Sequence, residues 1–214
     1  MSRLLKQDLF GTVTVEATPE GSWQVVRDTT TARWWLAWLA RHLARREVAA
    51  LRRATDLDAV PRVLEAGRGR IVRQWIDGQP MQHAQPRDAR YFREALHLVR
   101  RLHVRQIAHN DLAKEPNWLV TPAGLPALVD FQLATLAPRR GRLFRLLAHD
   151  DLRHLLKHKR NYLPERLTAR QRRMLATPSI LARLWRASGK RLYVLVTRQL
   201  LGWRDREGAG DRQL

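Results

Sequence analysis

Ala108-His109-Asn110-Asp111-Leu112-Ala113-Lys114-Glu115-Pro116-Asn117-Trp118-Leu119-Val120, followed after six residues by Ala127-Leu128-Val129-Asp130-Phe131, is the stretch that decides the fold. It sets an Asp and an Asn just before one apolar triplet and a second Asp just after another. The intervening Thr121-Pro122-Ala123-Gly124-Leu125-Pro126 is a turn by composition, because Pro fixes φ and Gly supplies positive φ. Two short strands joined by that turn make a hairpin, which brings Asn117 and Asp130 to neighbouring positions with Asp111 on the loop leading in. Three oxygen-bearing side chains then converge at one end of a small sheet. Mg²⁺-assisted phosphoryl transfer needs such a set: oxygen ligands for a hard cation and a separate carboxylate to accept a hydroxyl proton. Asp and Asn also cap loops without any chemistry. Here the order of residues, the two triplets and the turn all agree, and their combination points to a site.

The chain of 214 residues is long enough for one large domain or two small lobes, and with 44% hydrophobic residues it is globular in composition. No apolar run approaches the roughly 18 residues that a membrane-spanning helix requires. Met1–Asp8 lacks the apolar core of a signal peptide, and the absence of cysteine removes disulfides, thiolate metal sites and cysteine nucleophiles. A cytoplasmic location is the expectation. The charge is +20 and uneven: residues 1–138 carry a net +6 and residues 139–214 a net +14. A field of that sign favours polyanions such as nucleic acid, anionic lipid or phosphorylated glycolipid, and charge alone does not choose among them.

Period-two alternation predicts strands over Gly11–Ala17 and Trp23–Arg27. A helix follows over Thr31–Ala54, free of Gly and Pro, with Leu36, Leu39, Leu43, Val48 and Leu51 as its apolar stripe. Val60–Leu64 and Arg70–Ile76 read as strands joined through Gly67-Arg68-Gly69. Phe92, Leu96, Val99 and Leu102 mark a second helix over Pro86–Gln106, in which His97 and His103 pack or face solvent. Beyond the catalytic-looking hairpin, helices are predicted over Leu143–His158, Thr168–Ala176 and Pro178–Trp203. Strands around one helix, then helices around a hairpin, suggest two lobes.

These residues resemble the protein-kinase-like superfamily, and more narrowly its compact bacterial members: lipopolysaccharide core kinases acting on Kdo or heptose, and RIO-type serine/threonine kinases. The resemblance implies an α+β, bilobal fold with a small antiparallel β N-lobe and a mostly helical, truncated C-lobe. The N-lobe would span 1–77, the catalytic C-lobe 78–160 and a basic helical extension 161–214. His109-Asn110-Asp111-Leu112 looks like the catalytic loop, with Asp111 as proton acceptor, and Asn117 and Asp130 look like the Mg²⁺ ligands. Glu47 resembles the helix glutamate that pairs with a strand lysine, whose place is held by Arg27. Gln74 and Ile76 fall where the hinge backbone would hold the adenine of ATP.

Four departures mark this chain. Five residues instead of four separate Asp111 from Asn117, which bulges the loop near Pro116. Arg27 is bulkier and planar compared with lysine. Gly11 stands alone where a glycine-rich loop is usual, and Gln132 replaces the glycine after Asp130-Phe131. The function implied is an ATP- and Mg²⁺-dependent kinase acting on a hydroxyl, first of a lipopolysaccharide-core sugar or similar envelope glycolipid. A RIO-like serine/threonine protein kinase and a non-catalytic module that binds anionic membrane or RNA are the alternatives. One of Asp150 or Asp151 would brace the catalytic loop, or simply begin a basic helix. Leu192–Val196 and Leu200–Trp203 among arginines suit peripheral contact with the inner face of an anionic membrane through the basic C-terminal third, ahead of RNA binding. The Trp34-Trp35-x-x-Trp38 cluster could serve likewise, although filling the core is the simpler expectation both for it and for the C-terminal apolar segments.

Overall fold

A computed structural model of the chain describes residues 2–177. Strands β1 (Ser2–Asp8), β2 (Gly11–Ala17), β3 (Trp23–Asp28), β4 (Val63–Gly67) and β5 (Arg70–Gln74) form one antiparallel sheet in the order β1-β2-β3-β5-β4. β1 is absent from the sequence expectation because Arg3, Lys6, Gln7 and Asp8 break any apolar alternation. It is the edge strand, mostly exposed, and polar edges discourage pairing with another chain. The β1–β2 turn closes at Gly11, whose φ of 124° and position against the Asp28 carbonyl leave no room for a Cβ.

The expected helix over 31–54 starts later. Asp28 Oδ1 accepts from both the backbone and hydroxyl of Thr30, and the Thr31 hydroxyl donates to the Asp28 carbonyl. Such local bonds compete with a helix. A 3₁₀ turn at Trp34–Leu36 then leads into α1 (Ala37–Arg53), which buries Ala40, Ala44, Glu47, Ala50 and Leu51. The tryptophans do not fill the core as expected: Trp34 is 88% and Trp38 65% exposed. α1 packs inward through small alanines, which leaves its large aromatics on the opposite side.

The second half is built from β6 (Gln79–Pro80), α2 (Met81–Ala84), α3 (Ala89–Val104), β7 (Ile107–Ala108), β8 (Trp118–Val120), β9 (Pro126–Leu128), β10 (Thr135–Leu136), α4 (Arg142–Tyr162) and α5 (Ala169–Ala176). α3 begins where Asp88 accepts from the Arg90 backbone N–H, a capping bond that satisfies a first-turn donor. Its face of Tyr91, Phe92, Ala95, Leu98, Val99 and Leu102 recurs at three and four residues and joins the main core. Trp118, Tyr91 and Phe131 are the largest fully buried side chains there, each worth about 1.5–3 kcal/mol or more of apolar burial. The core therefore sits directly under the hairpin.

That hairpin is present with the register Trp118↔Leu128, Leu119↔Ala127 and Val120↔Pro126. β10 pairs antiparallel with β7, so the segment after Asp130 returns beside the strand that enters the loop of Asp111. The antiparallel sheet with α1 and the helical half with its hairpin make the expected α+β bilobal arrangement. The expected helix over 178–203 and the apolar tail segments lie outside the described residues.

Candidate active site

β7 delivers the chain into His109-Asn110-Asp111, and several buried contacts fix this loop. His109 is fully buried, and its ring lies 4.6 Å from that of Phe131, centroid to centroid. Its Nε2 lies 3.0 Å from the Val129 carbonyl and, facing only an acceptor there, carries the proton. Asn110 adopts φ 66°, a left-handed conformation that Asn tolerates, and its amide donates to the Leu133 carbonyl and the Thr135 hydroxyl. The loop is thus tied to the segment that follows Asp130.

Asp151, not Asp150, braces the loop from beneath. Its Oδ2 accepts the His109 backbone N–H at 2.8 Å, and its Oδ1 accepts that of Asn110 at 2.9 Å. His103 Nε2 lies 3.0 Å from the same Oδ2 and must donate, since a carboxylate only accepts. Asp150 instead lies 3.7 Å from His154, its neighbour on the following turn of α4. Of the two α3 histidines, His97 is exposed and His103 has this buried task.

The extra residue between Asp111 and Asn117 is absorbed by a 3₁₀ turn at Glu115–Asn117, with Pro116 inside it. Asn117 Nδ2 still reaches Asp111, donating to its carbonyl at 2.9 Å and its carboxylate at 3.0 Å. The Lys114 ammonium sits 3.2 Å from the same carboxylate. Lys114 carries no role in the sequence expectation, and its signal was its place three residues past Asp111. α4 secures the outside of this turn: the Leu112 carbonyl accepts from Trp118 Nε1 and His158 Nε2, and the Tyr162 hydroxyl donates to Glu115. Burial holds His158 below the usual histidine value and pushes the Tyr162 phenol above its usual range, so both are neutral near pH 7.

Asp130 follows β9 in a left-handed conformation, φ 62° and ψ 67°, uncommon for a residue with a side chain. Gln132 Nε2 approaches one of its carboxylate oxygens at 3.4 Å. Because the Asn117 nitrogen is committed to Asp111, the amide oxygen is the atom left for a cation, and the Asp130 carboxylate adds a charged oxygen. One carboxylate and one neutral oxygen, completed by phosphate and water, suit Mg²⁺. The donor set fits the ion.

Arg27 reaches the same region from β3. It is buried, donating through one terminal nitrogen to Glu47 at 3.0 Å and through the other to Gln132 at 2.6 Å. Its fork therefore links α1 to the segment after Asp130, leaving Gln132 a structural partner where glycine is usual. Arg73, from β5, donates to the second Glu47 oxygen and was not foreseen. Glu47 is 1% exposed and answers two guanidinium groups, which keeps its own charge compensated. Arg46, one residue before it, donates to the Leu133 and Ala134 carbonyls.

At the expected hinge, the Trp75 N–H joins the Trp23 carbonyl, whereas the Gln74 N–H points the other way to the Arg62 carbonyl at 2.8 Å. In extended chain the carbonyl of a residue shares the direction of its N–H, and the residue two on repeats it. The Gln74 carbonyl therefore lies on the β4 side with its N–H already used, and Ile76 follows two residues past the end of β5.

A five-stranded antiparallel lobe with one long helix, set on a helical lobe with a catalytic-looking hairpin, is the bilobal protein-kinase-like fold. Two solved structures share it over 94% of this chain: the Rio2 kinase of Chaetomium thermophilum (TM-score 0.61, 18% identity, 72% of that chain) and its complex with ADP, Mg²⁺ and phosphoaspartate (TM-score 0.60, 16% identity, 71% of that chain). No protein-family model and no curated protein matches the sequence.

Proposed function

We propose that this chain is an ATP- and Mg²⁺-dependent kinase that transfers the γ-phosphoryl group to a hydroxyl acceptor. The observation that carries this is the Asp111–Asn117 contact, kept despite the extra loop residue, beside a left-handed Asp130 at the end of the hairpin. Asp111 orients the acceptor hydroxyl and takes its proton as the oxygen attacks the γ-phosphorus and the bond to the β-phosphate oxygen breaks, releasing ADP. Lys114 offsets charge beside that carboxylate. Asn117 and Asp130 hold Mg²⁺, which when bound neutralises phosphate charge. The Arg27–Glu47–Arg73 cluster fixes α1 against the sheet, and a second N–H on a terminal nitrogen of Arg27, beyond those given to Glu47 and Gln132, positions the phosphates. The backbone of Gln74 and Ile76 receives the adenine.

The acceptor first proposed is a sugar hydroxyl of a lipopolysaccharide core or similar envelope glycolipid, met at the inner face of the membrane by a cytoplasmic enzyme. A second acceptor, a protein serine or threonine, rests on the resemblance of the His109–Asp111 loop and the hairpin to RIO-type kinases. Incubation with γ-labelled ATP and Mg²⁺, followed by separation of protein from extracted glycolipid, distinguishes them. Label that stays on the chain and is released by hydroxylamine would mark an aspartyl phosphate, the species named in the Rio2 complex. Asp111→Ala is expected to lower transfer at least about 10²-fold with nucleotide binding retained. Transfer that survives this substitution would overturn the assignment.

A further inference from the structure

On the side of α1 away from Glu47, a groove of about 450 Å³ opens between the helix and the β4–β5 turn. Arg41, Arg45 and Arg52 of α1 and Arg68 and Arg70 of the turn surround it, and no acidic side chain lines it. Arg70 pairs with Glu16 at 3.3 Å, and the other four have no ion-pair partner among the described residues. Arg68 is held at φ 47° in a two-residue turn whose left-handed first position favours Asn or Gly. The floor is aliphatic: Ala44, Val48, Ala49, Ala66 and Ile71.

The same stripe continues toward the start of the helix. Trp38, Arg41, Arg45 and Arg52 are spaced by three, four and seven residues, so they share one face, and Trp34 precedes them by one turn. We propose that this face of α1 docks on the surface of an anionic phospholipid bilayer. Arginines bind the headgroup phosphates, and Trp34 and Trp38 enter the interfacial layer, where an indole places its apolar body and polar N–H at once. Single-stranded nucleic acid is the weaker fit, because it needs aromatic platforms within the basic groove, whereas this groove holds none and its tryptophans gather at one end. Among the described residues no helix is long and apolar enough to cross a membrane. This docking does not depend on catalysis.

The test uses the full chain and flotation with phosphatidylglycerol-rich vesicles against pure phosphatidylcholine vesicles. The wild type is expected to float only with the anionic vesicles, and brominated acyl chains should quench its tryptophan emission. Each arginine near such a surface is worth about fivefold in partitioning, so Arg41→Gln/Arg45→Gln/Arg52→Gln should weaken binding about a hundredfold. The double variant Trp34→Phe/Trp38→Phe should lose a large part of the quenching, with Trp35 and Trp203 left to supply any remainder. All five positions are exposed or half-buried, and the quenching of the unmodified chain is read without any variant. Undiminished partitioning of the triple variant, or quenching undiminished in the double variant, overturns the proposal. So does a fall in poly-U binding by the triple variant with vesicle binding unchanged.

Discussion

Replacing Asp151 by Asn keeps the shape of the side chain and removes half its accepting capacity. Three donors converge on this buried carboxylate: the backbone N–H groups of His109 and Asn110 and the ring N–H of His103. The amide can turn its oxygen toward the Oδ2 position and keep two of them. Its NH₂ then faces the N–H of Asn110, donor against donor. The bond lost was made to a charged acceptor, about 1.5–3 kcal/mol, and the buried N–H left without a partner adds about 1–3 kcal/mol. A total of about 3–5 kcal/mol in a chain of this size lowers Tm by roughly 6–20 °C. Thermal unfolding followed by circular dichroism measures it, and amide hydrogen exchange should show Asn110 losing protection while α3 keeps its own. A Tm within about 2 °C of the wild type, close to what a neutral surface change gives, would refute the brace.

Glu47→Gln leaves two buried guanidinium groups facing a neutral amide, and a loss of about 3 kcal/mol is expected in urea unfolding; an unchanged midpoint and slope would show that Arg27 and Arg73 do not depend on it. Gly11→Ala forces a Cβ against the Asp28 carbonyl at positive φ, so about 2–4 kcal/mol of destabilisation is expected by the same measurement, and a neutral result would mean that the β1–β2 turn relaxes freely. Acidification should destabilise the fold below the ordinary histidine value of about 6.5. Burial holds His158 and His154 below that value when folded, so the unfolded chain binds more protons there and stability falls as pH falls. Tm measured from pH 7.5 down to 5 should drop less steeply in His158→Gln, whose amide can still donate to the Leu112 carbonyl; parallel slopes would exclude His158 as a source.

Local chemistry explains why the hairpin was legible in the sequence. Its two apolar triplets, the Pro and Gly of the turn and the flanking Asp and Asn are all short-range signals, and they placed Asn117 and Asp130 at the end of β8 and β9 without tertiary information. The Glu47–Arg27 pair was legible for a different reason, through resemblance, since nothing local says that a helix glutamate meets a strand arginine. β1 was not legible because an exposed edge strand needs no apolar alternation. The start of α1 was displaced by Asp28 and the threonines after it, a competition of local hydrogen bonds that helical periodicity does not record.

By itself, the sequence determined the longer helices, the inner strands of the antiparallel sheet, the catalytic-looking hairpin and the oxygen-bearing residues beside it, because turn chemistry and periodicity act over a few neighbours. The tertiary structure decided what lies between distant segments. It chose Asp151 over Asp150 as the brace, since only the helix rotation against β7 distinguishes adjacent carboxylates. It gave Glu47 a second arginine, Arg73, through the β3–β5 pairing, and committed both ends of the Arg27 fork to protein partners. It also put Trp34 and Trp38 outside, because alanines on the inner face of α1 allow the helix to approach the core closely and leave no space there for an indole.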